Sequence, residues 1–132
     1  MSEERREPIW LDSEIAFAIH DRQLAEHGGS AGVRDRGALD SALTRPVNRW
    51  NYGEDDYVRL ASAYAFGIAR SHPFADGNKR TAWVAARLFL KLNGTEIAFT
   101  AEDAIRAVLA LAAGELGEDE LADWFRERVA AG

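Results

Sequence analysis

Cysteine is absent from the 132-residue chain, which excludes disulfides, thiolate catalysis and cysteine-ligated zinc or iron–sulfur sites. Stability must come from packing alone. Long apolar runs are missing too. No segment has the roughly 18 uninterrupted apolar residues that a membrane span requires, and the opening MSEERRE, Met1 to Glu7, lacks the apolar core of a secretory leader. The expectation is a cytoplasmic protein without membrane contact. There is no repeat, low-complexity tract or linker rich in Pro, Gly or Ser, so residues 1–132 read as one domain with a single core. The 47% hydrophobic and 29% charged residues have the balance of a soluble globular chain.

Charge is divided unevenly along the sequence. Residues 1–66 carry 8 Lys and Arg against 12 Asp and Glu, residues 67–95 carry 5 against 1, and residues 96–132 carry 3 against 9. Binding a nucleic-acid backbone over a broad face needs many cationic contacts, so an acidic chain argues against that class of partner. A local basic island suits one small anion.

Hydrophobic spacing predicts helices throughout. The first begins at Asp12 or Ser13 and runs to His27 before Gly28 and Gly29, with Leu11, Ile15, Ala18 and Ile19 on one face. A second covers Arg36 to Arg45, stopped by Pro46, and Pro46 to Glu54 reads as a loop or small hairpin. A third spans Asp55 to Arg70, with Leu60, Ala61, Tyr64, Ala65 and Ile68 at helical spacing. After a loop at Ser71 to Gly77, the fourth runs to Asn93, is apolar on most sides and is expected to be central. Thr100 with Asp103 resembles a capping box opening a fifth helix to Ala113, and a sixth is expected over Glu118 to Ala130. Thr95 to Phe99 is strand-like but has no partner of comparable strength, so the class is all-α with about six helices.

Between the third and fourth helices lies Ser71-His72-Pro73-Phe74-Ala75-Asp76-Gly77-Asn78-Lys79-Arg80-Thr81. It combines a proton acceptor in His72, a carboxylate able to hold Mg²⁺ in Asp76, a permissive Gly77-Asn78 turn, and the cations Lys79 and Arg80 at a helix start. Unpaired N–H groups and partial positive charge make a helix N-terminus a phosphate site, and Gly77 and Asn78 can turn successive amides into an anion nest. Singly, each residue has a structural reading: His72 as a helix-ending histidine, Asp76 as a turn former, Lys79 and Arg80 as a solvated first turn. Two cations at the positive pole of a helix nevertheless destabilise it unless an anion compensates. That local misfit favours phosphate chemistry.

The string HPFADGNKRTA, the Val33-Arg34-Asp35 segment, and Phe89-Leu90 with Asn93-Gly94 resemble the Doc branch of the Fic superfamily, over roughly Trp10 to Gly94. The resemblance implies a Fic-type helical bundle with Thr44 to Gly53 as a small flap hairpin or loop over the active site. It implies that His72 acts on a hydroxyl of a target protein. It further implies that Asp76 holds Mg²⁺ on the nucleotide phosphates and that Gly77 and Asn78 shape the anion hole. AMP-transferring members usually continue with glycine, arginine and a second arginine three residues later; here Lys79, Arg80 and Trp83 stand in those places. A lysine fills phosphate space and the second arginine is missing, as in Doc-type proteins, whose family activity transfers the γ-phosphoryl group of ATP to elongation factor Tu.

The expected activity is therefore that of an ATP- and Mg²⁺-dependent kinase toxin that arrests translation, with Lys79 and Arg80 on the phosphates and His72 accepting the hydroxyl proton. The alternatives are transfer of AMP or another phosphate-containing group, and a degenerate, non-catalytic binding module. No inhibitory-helix string of Ser or Thr, three residues, Glu, then Gly or Asn is found. The implied restraint is a separate Phd-like antitoxin laid as a helix into a groove. Arg45, Asn48, Arg49 and Asn51 are candidates for docking the target, and Trp83 for the core or a cleft wall.

Overall fold

The computed structural model describes residues 5–130; the first part of the amino-terminal stretch read above, residues 1–4, lies outside the described residues, as do residues 131–132. Six helices follow in order: α1 (Ser13–His27), α2 (Arg36–Asn51), α3 (Tyr57–Ser71), α4 (Asn78–Leu92), α5 (Ala101–Ala113) and α6 (Glu118–Arg126). The class is all-α, as the periodicity predicts.

Local chemistry sets most of the helix starts. The side chains of Asp12, Asp35, Asp56 and Thr100 accept backbone N–H bonds from Ile15, Ala38, Val58 and Asp103, satisfying donors that a helix leaves unpaired. At α6 the Glu120 carboxylate accepts the Gly117 N–H at 3.1 Å. α4 differs. It starts at Gly77 with no capping side chain and no acidic residue in its first turn.

The hub is α3, where α4 had been the expected centre. α3 packs against α2, α4, α5 and α6, and Leu60, Ala61, Ala63, Tyr64, Ala65 and Ile68 are all fully buried. Its small residues permit close approach on several sides at once, whereas α4 leaves Leu92 exposed and Leu88 half-buried. At Gly67 a Cβ would lie 3.2 Å from both Cα and Cβ of Ala42 on α2.

That packing accounts for the largest departure from the sequence reading. Pro46 does not end α2, which continues to Asn51, so the expected loop or hairpin over Pro46 to Glu54 is mostly helix. Pro46 lacks an N–H for the Ala42 carbonyl and crowds it, but its ring is fully buried in the core beside Leu43 and Trp50. Tertiary burial outweighs the local penalty of about 3 kcal/mol. The second departure is at the carboxyl end. α6 stops at Arg126, and the following residues extend to pair with the strand-like segment through the Ile97–Val129 bridge and the Ala130 N–H to Glu96 O bond at 2.8 Å.

Candidate active site

The loop from His72 to Gly77 is shaped at both ends by backbone conformations that helices do not continue. His72 ends α3 in the left-handed region, φ 49° and ψ 60°, and among the described residues it is the one non-glycine with positive φ. Such a conformation costs an L-residue about 1–2 kcal/mol and persists where neighbours enforce it. Arg34 does so: its Nε donates to the His72 carbonyl at 2.6 Å and its Nη2 to the Ser71 carbonyl at 2.8 Å. The guanidinium thereby faces the negative end of α3, and the His72 side chain stays exposed at the mouth of a cleft.

Phe74 anchors the middle of the loop. It is 1% exposed, and its ring lies against His20 and edge-on to Phe17. Its backbone is held by one side chain: Asn78 accepts the Phe74 N–H at 2.9 Å and donates to the Phe74 carbonyl at 3.0 Å. Both polar ends of the Asn78 amide are thus engaged within the protein, and what it offers an anion is its backbone N–H. On the other edge, the connection between α1 and α2 runs antiparallel to the loop. Val33 bridges Phe74, the Pro73 carbonyl accepts the Arg34 and Asp35 N–H groups, and Ala75 N–H reaches the Gly32 carbonyl.

Asp76 follows. Its Oδ1 accepts the Gly77 N–H at 2.8 Å and its Oδ2 the Ser30 N–H at 3.4 Å. Gly29 must be glycine for this to hold: its φ is +125°, and a Cβ there would lie 2.8 Å from Asp76 Oδ2. Beyond Asp76, Gly77 adopts φ 75° and turns the chain into α4. Lys79 and Arg80 are exposed on the first turn, and neither forms an ion pair among the described residues.

A cleft of about 850 Å³ opens over this turn, and all six residues singled out from the sequence, His72, Asp76, Gly77, Asn78, Lys79 and Arg80, line it. Trp83 forms part of its wall, packed against Phe99, Trp124 and Phe125. Ala104, Ile105, Val108 and Leu109 of α5 make the opposite side apolar, and Gln23 and His27 close the α1 end. Asp76 is the one acidic side chain in this lining. An uncapped helix N-terminus, two cations that pair with no carboxylate among the described residues and a neighbouring imidazole have the chemistry to hold a phosphate group beside a proton acceptor.

A single carboxylate suits Mg²⁺, which commonly takes one or two protein carboxylates and fills its octahedron with water and substrate phosphate. No cluster of three or more His, Cys, Asp or Glu side chains able to hold a metal occurs among the described residues.

The segment Thr44 to Gly53 is not over the cleft. It forms the end of α2 and the following turn, and none of its residues lines the cavity. Arg45 and Arg49, candidates for docking a target, pair with the half-buried Glu118 at the start of α6, at 2.6 and 2.8 Å. The stretch that flanks the reactive loop is Gly28 to Asp35. Sequence reasoning also missed His20, Gly29, Ser30 and the role of Arg34. Two adjacent glycines with no obvious need for both were the available signal for that connection; His20 sits on an apolar helix face and gave none.

Residues 10–90 match the sequence model of the Fic/DOC family. The chain is 50% identical over 96 residues to "Toxin Doc" of Mycolicibacterium smegmatis, an alignment covering 70% of this chain and 65% of that protein. It is 32% identical over 117 residues to "Protein kinase doc" of Escherichia phage P1, covering 88% of this chain and 92% of that protein.

Proposed function

The chain belongs to the Fic/DOC family, and on that premise we propose that it is a toxin that transfers the γ-phosphoryl group of ATP to a hydroxyl of elongation factor Tu in the cytoplasm, arresting translation until a Phd-like antitoxin binds it. The observation that carries this reading is the pairing, in one cleft, of an exposed His72 with an uncapped α4 N-terminus bearing two cations that form no ion pair among the described residues. Phosphoryl transfer asks mainly for position and charge, and the cleft has both. Lys79 and Arg80 with the first amides of α4 bind the outer phosphates of ATP. His72 accepts the proton of the incoming hydroxyl as its oxygen bonds to the γ-phosphorus. The bond from that phosphorus to the β–γ bridging oxygen breaks, ADP leaves, and the proton passes from the imidazole to solvent. Asp76 would hold Mg²⁺, which neutralises phosphate charge when bound.

Transfer of the terminal phosphate is favoured over transfer of AMP by two positions. Lys79 extends into the cleft where AMP-transferring members of the resembling family carry glycine, and Trp83, three residues after Arg80, is packed among aromatic rings and has no charge to offer a distant phosphate. Intact-mass spectrometry of elongation factor Tu after incubation with this protein, ATP and Mg²⁺ tests the reading. The expected gain is about 80 Da, the mass of a phosphoryl group; a gain of about 329 Da means adenylyl transfer, and no gain with intact Mg·ATP binding means a different acceptor or a binding module.

A further inference from the structure

Beneath the reactive loop, α1 places a polar side chain that the chemistry above does not use. His20 is 3% exposed, and its Nε2 lies 2.8 Å from the main-chain oxygen of Asp76. A carbonyl can only accept, so Nε2 carries the hydrogen and donates it. The ring lies flat on Phe74, with centroids 3.9 Å apart and planes 9° apart. It also underlies Gly77, where a Cβ would sit 3.8 Å from its Cδ2 and Nε2.

The bond is placed on a particular peptide group. The Asp76 carbonyl that His20 holds and the Gly77 N–H that reaches back to Asp76 Oδ1 at 2.8 Å belong to the same peptide unit. Turning that unit about its axis would break both bonds together. The histidine therefore fixes the peptide plane, the peptide fixes one carboxylate oxygen, and the Ser30 N–H at 3.4 Å steadies the other.

We propose that His20 is a positioning residue that holds the Asp76 carboxylate in the orientation required to meet the magnesium of bound Mg·ATP. This rests on the phosphoryl-transfer reading. Groups that orient a metal ligand from behind commonly change metal affinity by about 10–100-fold when removed.

Two substitutions separate the hydrogen bond from the packing. His20→Phe keeps a flat ring on Phe74 and removes the donor; His20→Gln keeps an amide donor within reach of the carbonyl and loses the ring. Mg·ATP binding is followed by calorimetry across a magnesium titration, with ATP alone as reference. The Gly77 amide is followed by nitrogen–proton NMR in ligand-free protein. For His20→Phe the expected result is a rise of about 10-fold in the magnesium needed for half-saturation, unchanged affinity for ATP without magnesium, and a displaced Gly77 amide signal. His20→Gln should restore most of the magnesium response. If the phenylalanine variant does not fold, His20→Met serves as the donor-free form. The inference fails if a folded donor-free variant matches wild type in magnesium dependence and Gly77 signal, or if His20→Gln is as impaired as the donor-free form. A wild-type chain whose ATP binding ignores magnesium overturns the phosphoryl-transfer reading and this inference together.

Discussion

Replacing Asn78 by alanine separates what the loop needs from what an anion needs. The Asn78 amide makes two bonds to Phe74, 2.9 Å to its N–H and 3.0 Å to its carbonyl, at a residue only 1% exposed. Alanine leaves both backbone groups buried without partners, at about 1–3 kcal/mol each, and the space vacated by the side chain lets water recover part of that. The net loss should be about 2–4 kcal/mol, a large share of the 5–15 kcal/mol typical of a domain. For a chain of this size it corresponds to a fall in Tm of roughly 8–15 °C. Urea unfolding followed by circular dichroism at 222 nm, with matched slopes, provides the comparison. Asn78→Asp should be no better, since it keeps the acceptor but sets a negative oxygen against the Phe74 carbonyl. A loss below about 1 kcal/mol for alanine would refute the assignment of Asn78 as the brace of the loop.

Lys79→Ala should behave in the opposite way, because it removes an unpaired cation from the positive pole of α4: stability is expected to hold or rise by about 0.3–1 kcal/mol while ATP binding weakens, and a destabilised variant with normal ATP binding would contradict the phosphate assignment. Gly29→Ala should displace the Asp76 carboxylate, since its Cβ would lie 2.8 Å from Oδ2, whereas Gly28→Ala meets nothing within 4 Å and carries backbone strain alone; equal magnesium dependence of ATP binding in the two variants would refute the contact. Tyr64 is buried with its hydroxyl accepting the Leu11 N–H, and burial pushes its pKa from 10 up to about 12. The folded state thus favours the protonated phenol, so the stabilisation is complete below pH 10 and is lost as the pH rises through 12, by roughly 2–3 kcal/mol in all. The difference in urea midpoint between wild type and Tyr64→Phe should change across that window; a constant difference would contradict it.

Much of the fold was legible because local chemistry announces it. Asp12 and Thr100 stand at helix starts as capping side chains, His27 precedes the glycines that end α1, and the apolar spacing of α3 marks it as a helix, although the sequence pattern points to α4 as the centre. The reading failed where long-range packing decides. Pro46 remains inside α2 because the core takes its ring, and Thr95 to Phe99 finds its partner in the residues just after α6. The candidate site divides in the same manner. The six cleft-lining residues singled out from the sequence fall within one continuous stretch, so composition and charge were enough to bring them together. The side chains that hold that stretch, His20 and Arg34, lie 56 and 38 positions away from the carbonyls they bind. No periodicity links such partners before the chain folds.

The most direct measurement is a paired incubation of elongation factor Tu with ATP labelled at the γ-phosphate or at the α-phosphate, using the wild-type chain and His72→Ala. The account predicts that the γ-label alone reaches the protein, that His72→Ala abolishes it, and that the melting temperature of the variant stays close to wild type, since the His72 side chain is exposed. Transfer of the α-label, or of the γ-label at full rate by folded His72→Ala, would contradict it.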